Sequence, residues 1–431
     1  MAHAEVLGNG LAVVTEEMPH MKSVSISIWI GAGSRYEDKS INGVSHFVEH
    51  MLFKGTRKRE DNQKLSVAIE GVGGTINGFT NKEATCYLVK VPSEHFGVGL
   101  DVLCDIVLNS LFLPEAIEKE RTVVIEEIRM VHDKADAWVH ILLDELMWPG
   151  DPLGRSIAGT EDVIRSLSRE DILEYVHGLY VPKNIVVSIA GNFKTEDVIN
   201  AVSNYFSEGS GGKGEPGRKR TEPGQGENGS NTPGGSKILV EKRDIKQANF
   251  AVGLRAYGRT HPDRYVLEVL NAALGWGMSS RLFQEVRVRR GLAYAVGSDF
   301  ETYVDTGLFK VYAGVDPAKG PEATRVVLDE LWKIRDHGLS EEELRFAKNF
   351  FKGSLALRLE DTLNLSLRMG DSQLLIGRVI PVDEVLAKIE AVTLEDIKRV
   401  AADILRPDDL RMAAVGPFKD EKDMEAATMV Q

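Results

Sequence analysis

Cysteine is nearly absent from this chain. Cys86 and Cys104 are the two cysteines among 431 residues, which argues against a disulfide framework and favours a reducing compartment. Long apolar runs are missing as well. No stretch of about 18 apolar residues occurs, so we expect no membrane-spanning segment. The first residues, 1–6, have neither a basic region nor an apolar core, so we expect no signal peptide and a cytoplasmic location.

Basic residues are also fewer than acidic residues. The chain has 52 Lys and Arg residues against 65 Asp and Glu residues, and its formal net charge is −13. Nucleic-acid binding depends on clustered Lys and Arg, so we expect no nucleic-acid partner. An acidic surface would suit cationic peptides, although it is more often a means of staying soluble. A length of 431 residues exceeds one ordinary domain, and we expect two or more.

The most informative segment is His46-Phe47-Val48-Glu49-His50, which has the pattern H-x-x-E-H. On a helix, residues four apart lie on one face, so the rings of His46 and His50 can reach one metal ion. Glu49 lies on nearly the same face, where its carboxylate can take a proton from water at the metal. The pattern is the inverzincin signature. The alternative is a surface helix with two ordinary histidines.

A catalytic zinc site needs a third protein ligand, and two histidines with one glutamate are a known set. The next acidic segment with helical character, 118–130, contains Glu120 and Glu127, which lie seven residues apart on one helix face. Acidic residues near a helix N-terminus also arise simply as compensation of the helix dipole. The segment by itself is therefore only a candidate source of the third ligand.

The run Gly43–Thr56 resembles the pitrilysin-type (inverzincin) zinc metallopeptidases, and within them the bacterial relatives of the mitochondrial processing peptidase β-subunit. That family places its third zinc ligand in an E-R-x-x-x-x-x-E segment, which here begins at Glu120 and ends at Glu127. The resemblance implies that Glu127 is the ligand and that Glu120 supports the site. The neighbouring Glu126 is the fallback assignment.

The resemblance extends to the second half of the chain. Ser280–Arg287, followed by Arg290–Tyr294, matches the family's second signature. It implies that Arg287 and Tyr294 hold the substrate backbone and stabilise the oxyanion. Without the resemblance, Arg287 would be interpreted as a surface ion-pair residue and Tyr294 as a core residue.

A third matching segment is Gly73–Thr80, which contains Asn77. In the family this strand is an exposed sheet edge to which the substrate peptide adds as a further strand, so the resemblance implies that Asn77 binds a substrate amide. The family more often has Ala where this chain has Gly78, which leaves the local side-chain roles open. Without the resemblance, the segment would be a Gly-marked bulge and turn.

The chain also repeats itself at an offset of 225 residues. Each copy predicts a capped amphipathic helix, a Pro-marked turn and a strand that ends at Gly, with Ser168 and Thr393 as N-caps. The corresponding pairs are Leu167–Ile172 with Val392–Ile397, Pro182 with Pro407, and Gly191 with Gly416. We infer a duplicated domain.

The duplication predicts a catalytic zinc domain over 1–206, a flexible Gly- and Pro-rich linker over 207–236, and a homologous domain without metal over 237–431. Apolar strands alternate with helical stretches in both halves, which predicts α+β domains, each with a mainly antiparallel sheet covered by helices on one face. The resemblance implies that the two face each other as a clamshell. Sliding the motif by the repeat offset places Asn271, Leu274 and Gly275 opposite the residues of the H-x-x-E-H pattern. We therefore expect one Zn²⁺ per chain.

The resemblance implies a zinc endopeptidase that encloses and hydrolyses unfolded oligopeptides or targeting-type peptides. Zinc would activate a water molecule for attack on the peptide carbonyl, with Glu49 as general base. The family's chamber needs four domains and this chain supplies two, so we expect a homodimer. The alternative is a non-catalytic assembly or peptide-binding subunit of the same fold.

Overall fold

The computed structural model describes residues 2–207 and 237–418, together with Lys422 and Met424. The predicted linker over 207–236 lies outside the described residues except for Ser207. The described residues form two compact units. Unit 1 comprises the residues up to Ile128, those from Arg155 to Ser207, and Ala356–Pro381; unit 2 comprises Arg129–Gly154, residues 237–355 and the residues from Val382 onward.

Each unit contains one β-sheet. The strands of unit 1 are β1 (His3–Val6), β2 (Ala12–Glu17), β3 (Ser23–Ile30), β4 (Thr75–Thr80), β5 (Thr85–Pro92) and β6 (Ile185–Gly191), in the spatial order β1-β2-β6-β3-β5-β4. The strands of unit 2 are β7 (Ile238–Lys242), β8 (Ala248–Ala256), β9 (Ala293–Thr302), β10 (Gly307–Val315) and β11 (Arg411–Gly416), in the order β7-β11-β8-β10-β9.

The described α-helices are α1 (Val44–Leu52), α2 (Asn62–Glu70), α3 (Phe96–Asn109), α4 (Pro114–Asp133), α5 (Ala135–Met147), α6 (Glu161–Ser166), α7 (Arg169–Leu179), α8 (Thr195–Tyr205), α9 (Arg264–Leu274), α10 (Gly320–His337), α11 (Glu341–Leu359), α12 (Thr362–Ile376), α13 (Val382–Ala391) and α14 (Leu394–Ile404). None of these helices is both long enough and apolar enough to cross a lipid bilayer.

The two sheets show that the fold is duplicated. The order β2-β6-β3-β5-β4 is repeated as β7-β11-β8-β10-β9, and in each sheet the first pair of this order is parallel while the others are antiparallel. Ser168 and Thr393 both form capping boxes at the starts of α7 and α14. The prediction of two similar α+β units with mainly antiparallel sheets is confirmed.

Strand β3 has two buried faces. Its even-numbered residues, Val24, Ile26, Ile28 and Ile30, lie in the main core of unit 1 with residues of α1, α3 and α7. Its odd-numbered residues face α12 instead: Oγ of Ser27 lies 2.8 Å from Oγ of Ser366, and Trp29 packs in a cluster with Leu365 and Met369. Because successive side chains of a strand point to opposite faces of the sheet, β3 packs on the main core with one face and on α12 with the other.

Two helices pack on the sheet of the other half of the sequence. Helix α12, from the second half, covers the sheet of unit 1, and helix α5, from the first half, packs its apolar side chains on the sheet of unit 2. Each sheet has an apolar second face that must be covered, and an amphipathic helix from elsewhere in the chain can cover it. The domain boundaries 1–206 and 237–431 stay a prediction, and the compact units depart from them in these two helices.

Candidate metal centre

Helix α1 positions the residues of the H-x-x-E-H pattern. Phe47, Val48 and Met51 are buried in the core of unit 1, and helical periodicity then places His46, Glu49 and His50 on the opposite side. Each of these three residues offers a ligand atom within 4.8 Å of the others. Among the residues that the structure describes, this is the one such cluster of His, Cys, Asp or Glu.

Glu127 on α4 faces both imidazole rings. Its Oε2 lies 3.7 Å from Nε2 of His46 and 3.4 Å from Nε2 of His50. Donor atoms around a tetrahedral zinc, with bonds of about 2.1 Å, lie about 3.4 Å apart. Both distances from Oε2 of Glu127 are therefore close to the spacing of two donor atoms around one zinc ion. Glu126, the fallback assignment, is exposed at the neighbouring helix position.

Glu120 contacts the imidazole of His50 on the side away from Glu127, and Lys54 in turn contacts Glu120. Oε1 of Glu120 lies 2.8 Å from Nδ1 of His50, and Nζ of Lys54 lies 2.6 Å from Oε2 of Glu120. When Nδ1 of His50 donates to Glu120, Nε2 is left unprotonated towards Glu127, which is the tautomer that a metal ligand needs. Burial alone would raise the pKa of Glu120, but the bonds from His50 and Lys54 hold that pKa below its usual value.

The protonation of the two histidines also suits a cation. Burial, followed by repulsion from His50, lowers the pKa of His46 to about 4, so this ring is neutral at pH 7. For His50, burial works downward, but the hydrogen bond to Glu120 and the charge of Glu127 outweigh it and raise the pKa. A bound cation would take the place of that proton, because metal ligands bind in the deprotonated form. The residues present fit zinc.

Glu49 has the environment of a general base. Burial raises its pKa, and the charges of Glu127 and Glu120 act in the same direction. Within the described part of the chain, no group donates a hydrogen bond to its carboxylate. Strand β4 lies against it, since a Cβ at Gly78 would be 2.8 Å from Oε1 of Glu49. The carboxylate is therefore free to accept a proton from a water molecule or a substrate.

Asn77 directly precedes Gly78 on β4, an edge strand that, among the described strands, pairs with β5 alone. The side chain of Asn77 is exposed, and its Oδ1 accepts a hydrogen bond of 2.8 Å from the backbone N–H of Gly78. The strand position fits the predicted peptide-binding edge. The role of the Asn77 amide stays a prediction.

Arg287 and Tyr294 lie in unit 2. Arg287 is exposed at the end of a π-helical segment, Phe283–Arg289, and its guanidinium lies 4.9 Å from the ring centre of Phe283. Tyr294, at the start of β9, is 43% exposed and its hydroxyl donates to Oδ1 of Asn249 at 3.3 Å. Among the described residues Arg287 has no ion-pair partner, so it is not a surface ion-pair residue. Tyr294 is too exposed to be a core residue.

The equivalent position in unit 2 has no metal-binding group. Asn271, on α9, is buried and its Oδ1 accepts a hydrogen bond of 2.6 Å from Oγ of Ser298. Gly275 follows α9, and a Cβ there would overlap the side chain of Ser298. In unit 2, Ser298 of β9 thus contacts both Asn271 and Gly275.

Sequence reasoning missed Lys54 and the contact between Glu49 and Gly78. The one available signal for Lys54 was its position four residues after His50, on the same side of a continued helix. The contact with Gly78 joins a helix to a strand and has no local signature.

Most of the chain matches proteins of a known family. Residues 12–161 match the family model described as "Insulinase (Peptidase family M16)", and residues 166–351 match "Peptidase M16 inactive domain". An uncharacterized zinc protease of Streptomyces coelicolor is 39% identical over 96% of this chain and 90% of its own length. A probable mitochondrial-processing peptidase subunit beta of Arabidopsis thaliana is 33% identical over 97% of this chain and 78% of its own length.

The chain therefore belongs to the M16 family of peptidases, the pitrilysin-type family that its motifs resemble. Membership supports a general peptidase role and zinc as the metal, since curated relatives are named zinc proteases. Solved structures share the fold. A protease from Helicobacter pylori has a TM-score of 0.90 at 21% identity over 97% of this chain and 99% of its own. A chain of complex III2 from Candida albicans has a TM-score of 0.80 at 20% identity over 99% of this chain and 100% of its own.

Proposed function

We propose that this protein is a zinc-dependent endopeptidase with one Zn²⁺ per chain, held by His46, His50 and Glu127. The observation that carries the proposal is the position of Oε2 of Glu127, 3.7 Å and 3.4 Å from the two Nε2 atoms. Bound zinc lowers the pKa of a water molecule towards about 7 and polarises a carbonyl oxygen.

Glu49 acts as the general base. It accepts a proton from the attacking water on its carboxylate and passes that proton to the leaving amine. Its buried position, 9% exposed, and its raised pKa favour a carboxylate that both takes and returns a proton. Gly78 allows the edge strand to approach this carboxylate closely.

The peptide substrate adds to the free edge of β4, where its backbone pairs with the strand and Asn77 holds one of its amides. Arg287 and Tyr294 hold the substrate backbone and stabilise the oxyanion. The exposure of both residues in unit 2 supports this assignment.

The substrates that we propose are unfolded oligopeptides or targeting-type peptides, enclosed by the protein during cleavage in the cytoplasm. The name of the Arabidopsis relative, a probable mitochondrial-processing peptidase subunit, supports a role in peptide processing. The net charge of −13 favours basic peptides. Cleavage rates of a charge-swapped peptide pair at two salt concentrations test the preference. A rate for a stable folded domain equal to that for short peptides would contradict enclosure.

We further propose that the protein works as a homodimer, because one chain carries both the H-x-x-E-H helix and Arg287 with Tyr294. Light scattering of the active protein at working concentration tests this. A fully active monomer would contradict it, as would a chain that is inert until a different subunit is added.

The alternative is a non-catalytic assembly or peptide-binding subunit, since the Candida albicans chain with this fold is a component of a complex III2 structure. The geometry favours the enzyme, because both histidines, Glu49 and Glu127 are present and converge.

The deciding experiment measures zinc content by elemental analysis together with cleavage of a quenched fluorescent peptide, before and after chelation and after zinc is restored. An enzyme contains about one zinc per chain and loses and regains cleavage with it. Stoichiometric zinc without cleavage of any peptide in a diverse library would support the peptide-binding or assembly role instead.

A further inference from the structure

The metal-binding helix begins without a capping side chain of its own. The residue before α1 is Gly43, which has a φ of 102° and no side chain to accept the first free N–H groups. The carboxylate of Glu37, which lies outside the helix, accepts hydrogen bonds from two of these N–H groups. Its Oε2 accepts from the N–H of Gly43 at 2.7 Å, and its Oε1 accepts from the N–H of Ser45 at 2.8 Å.

The same carboxylate is saturated by further donors. Oε2 also accepts from Nδ2 of Asn42 at 2.8 Å, and Oε1 also accepts from the hydroxyl of Ser45. Oγ of Ser45 in turn lies 2.7 Å from the hydroxyl of Tyr175 on α7. Glu37 is 3% exposed. Burial raises its pKa and the bonds from Ser45, Gly43 and Asn42 oppose that rise. Three of the four contacts are N–H groups that can only donate, which fits the ionised form.

The start of α1 also has no free space around it. A Cβ at Gly43 would lie 2.6 Å from the carbonyl oxygen of Ala158, and a Cβ at Gly159 would overlap the carbonyl of Asn42. The guanidinium of Arg155 donates to the backbone oxygen of Glu37 at 3.0 Å, which fixes the turn that carries the carboxylate. The first turn of the helix is therefore held by the contacts of Glu37 and by close packing.

We propose that Glu37 is a positioning residue for the metal centre: by capping α1 it sets the axial position and rotation from which His46 and His50 reach Glu127. His46 immediately follows Ser45, so a shift of the first turn moves its imidazole directly. The inference rests on the proposed zinc site. A displacement of about 1 Å of a group at such a site can lower the catalytic rate by about 100-fold.

The test compares Glu37→Gln with Glu37→Asp. Glutamine keeps the size but loses the charge, and its NH₂ group faces N–H donors. Competition with a chromogenic chelator should show zinc affinity about tenfold weaker in Glu37→Gln, in the range of other supporting residues. The kcat for a quenched fluorescent peptide should fall about tenfold with KM within about twofold, because the substrate does not contact Glu37. Glu37→Asp keeps the charge and should recover a measurable part of both losses.

The matched control is Glu83→Gln. Glu83 is 2% exposed and forms a buried ion pair of 2.7 Å with Arg35 in the same region of unit 1. It should lower the apparent Tm without changing zinc affinity or kcat. Equal losses of zinc affinity and kcat in Glu83→Gln and Glu37→Gln would show that Glu37 contributes only to stability, and would overturn the proposal. So would wild-type zinc affinity in folded Glu37→Gln.

A milder variant keeps the proposal testable if Glu37→Gln does not fold. Ser45→Ala removes the hydroxyl between Glu37 and Tyr175 but keeps the helix N–H, and should weaken zinc binding by about threefold. Unchanged zinc affinity in Ser45→Ala would then overturn the proposal. Zinc affinity is measured without any substrate, so the test remains valid even if the protein proves not to be a peptidase.

Discussion

Nδ1 of His50 lies 2.8 Å from Oε1 of Glu120, and this bond fixes which nitrogen of the ring faces Glu127. Glu120 is 3% exposed and its other oxygen is bound by Lys54 at 2.6 Å. The carboxylate is thus held in place on one side by a cation and orients the imidazole on the other. We therefore propose that Glu120 acts on the geometry and basicity of His50 rather than on the metal directly.

Replacing Glu120 by Gln should therefore weaken zinc binding by about 10- to 100-fold while the fold is kept. Chelator competition measures the effect. Glu118→Gln is the control, because Glu118 lies on the same helix, is largely exposed and pairs with Arg121. Equal zinc affinities for the two variants would show that the bond to His50 does not support the site.

Replacing Glu49 by Gln should leave zinc bound but lower peptide hydrolysis by at least about 100-fold, because the amide cannot accept the proton of the attacking water. Zinc content and single-peptide kinetics, measured on the same sample, separate the two effects. Near-normal turnover in a zinc-replete Glu49→Gln protein would refute the assignment of Glu49 as general base.

The third ligand is tested by paired substitutions on α4. Glu127→Ala should lose zinc, as should His46→Ala and His50→Ala, because each removes one of three donors. Glu126→Ala should retain zinc, since Glu126 is exposed at the neighbouring helix position. The reverse result, with zinc lost only from Glu126→Ala, would move the ligand assignment by one residue.

The parts of this site that sequence could predict are those with local geometry. His46, Glu49 and His50 share a helix, so their spacing alone places them together. Glu127 comes from a second helix, and the family resemblance rather than periodicity selected it over Glu126. Lys54 had only a weak positional signal. Glu37 had none, because its hydrogen bonds close a turn whose shape is set by tertiary packing.

The same limit applies to the fold. The repeat predicted two similar units, and the strand order confirms them. The alternation of Ser and apolar residues in β3 is also typical of a strand with one solvated face. In the structure that face is covered by α12, and the hydroxyl groups of Ser25 and Ser27 pair with those of Thr362 and Ser366. The hydrophobic periodicity of a helix shows that one of its faces is buried, but it does not show against which sheet the helix packs.

His140 on α5 should make the stability of the protein depend on pH. Its Nδ1 is buried without a hydrogen-bond partner in the described chain, and its ring packs edge-on against Tyr312 at 5.6 Å. Burial, reinforced by Lys310, lowers its pKa from 6.5 to about 4. Between those values the unfolded chain binds a proton that the folded protein does not, so the free energy of unfolding falls as pH falls.

His140→Gln removes this titration. The apparent Tm of the variant should therefore fall less than that of the wild type between pH 7 and pH 5. Both proteins are measured with excess chelator, so that metal loss at low pH does not contribute. Equal decreases in Tm would show that His140 is accessible to protons in the folded state.

The packing of α12 on the sheet of unit 1 predicts the effect of a single added methyl group. A Cβ at Gly370 would overlap the Trp29 ring and lie 3.1 Å from Cβ of Ser188. Gly370→Ala should thus lower the free energy of unfolding by about 1–3 kcal/mol, as overpacking does in other cores. Gly353→Ala on α11 is the matched control, since a Cβ there has no neighbour within 4 Å, and it should be neutral or stabilising by up to about 1 kcal/mol. Chemical denaturation of both variants measures the difference. If Gly370→Ala is as stable as Gly353→Ala, α12 does not lie against Trp29.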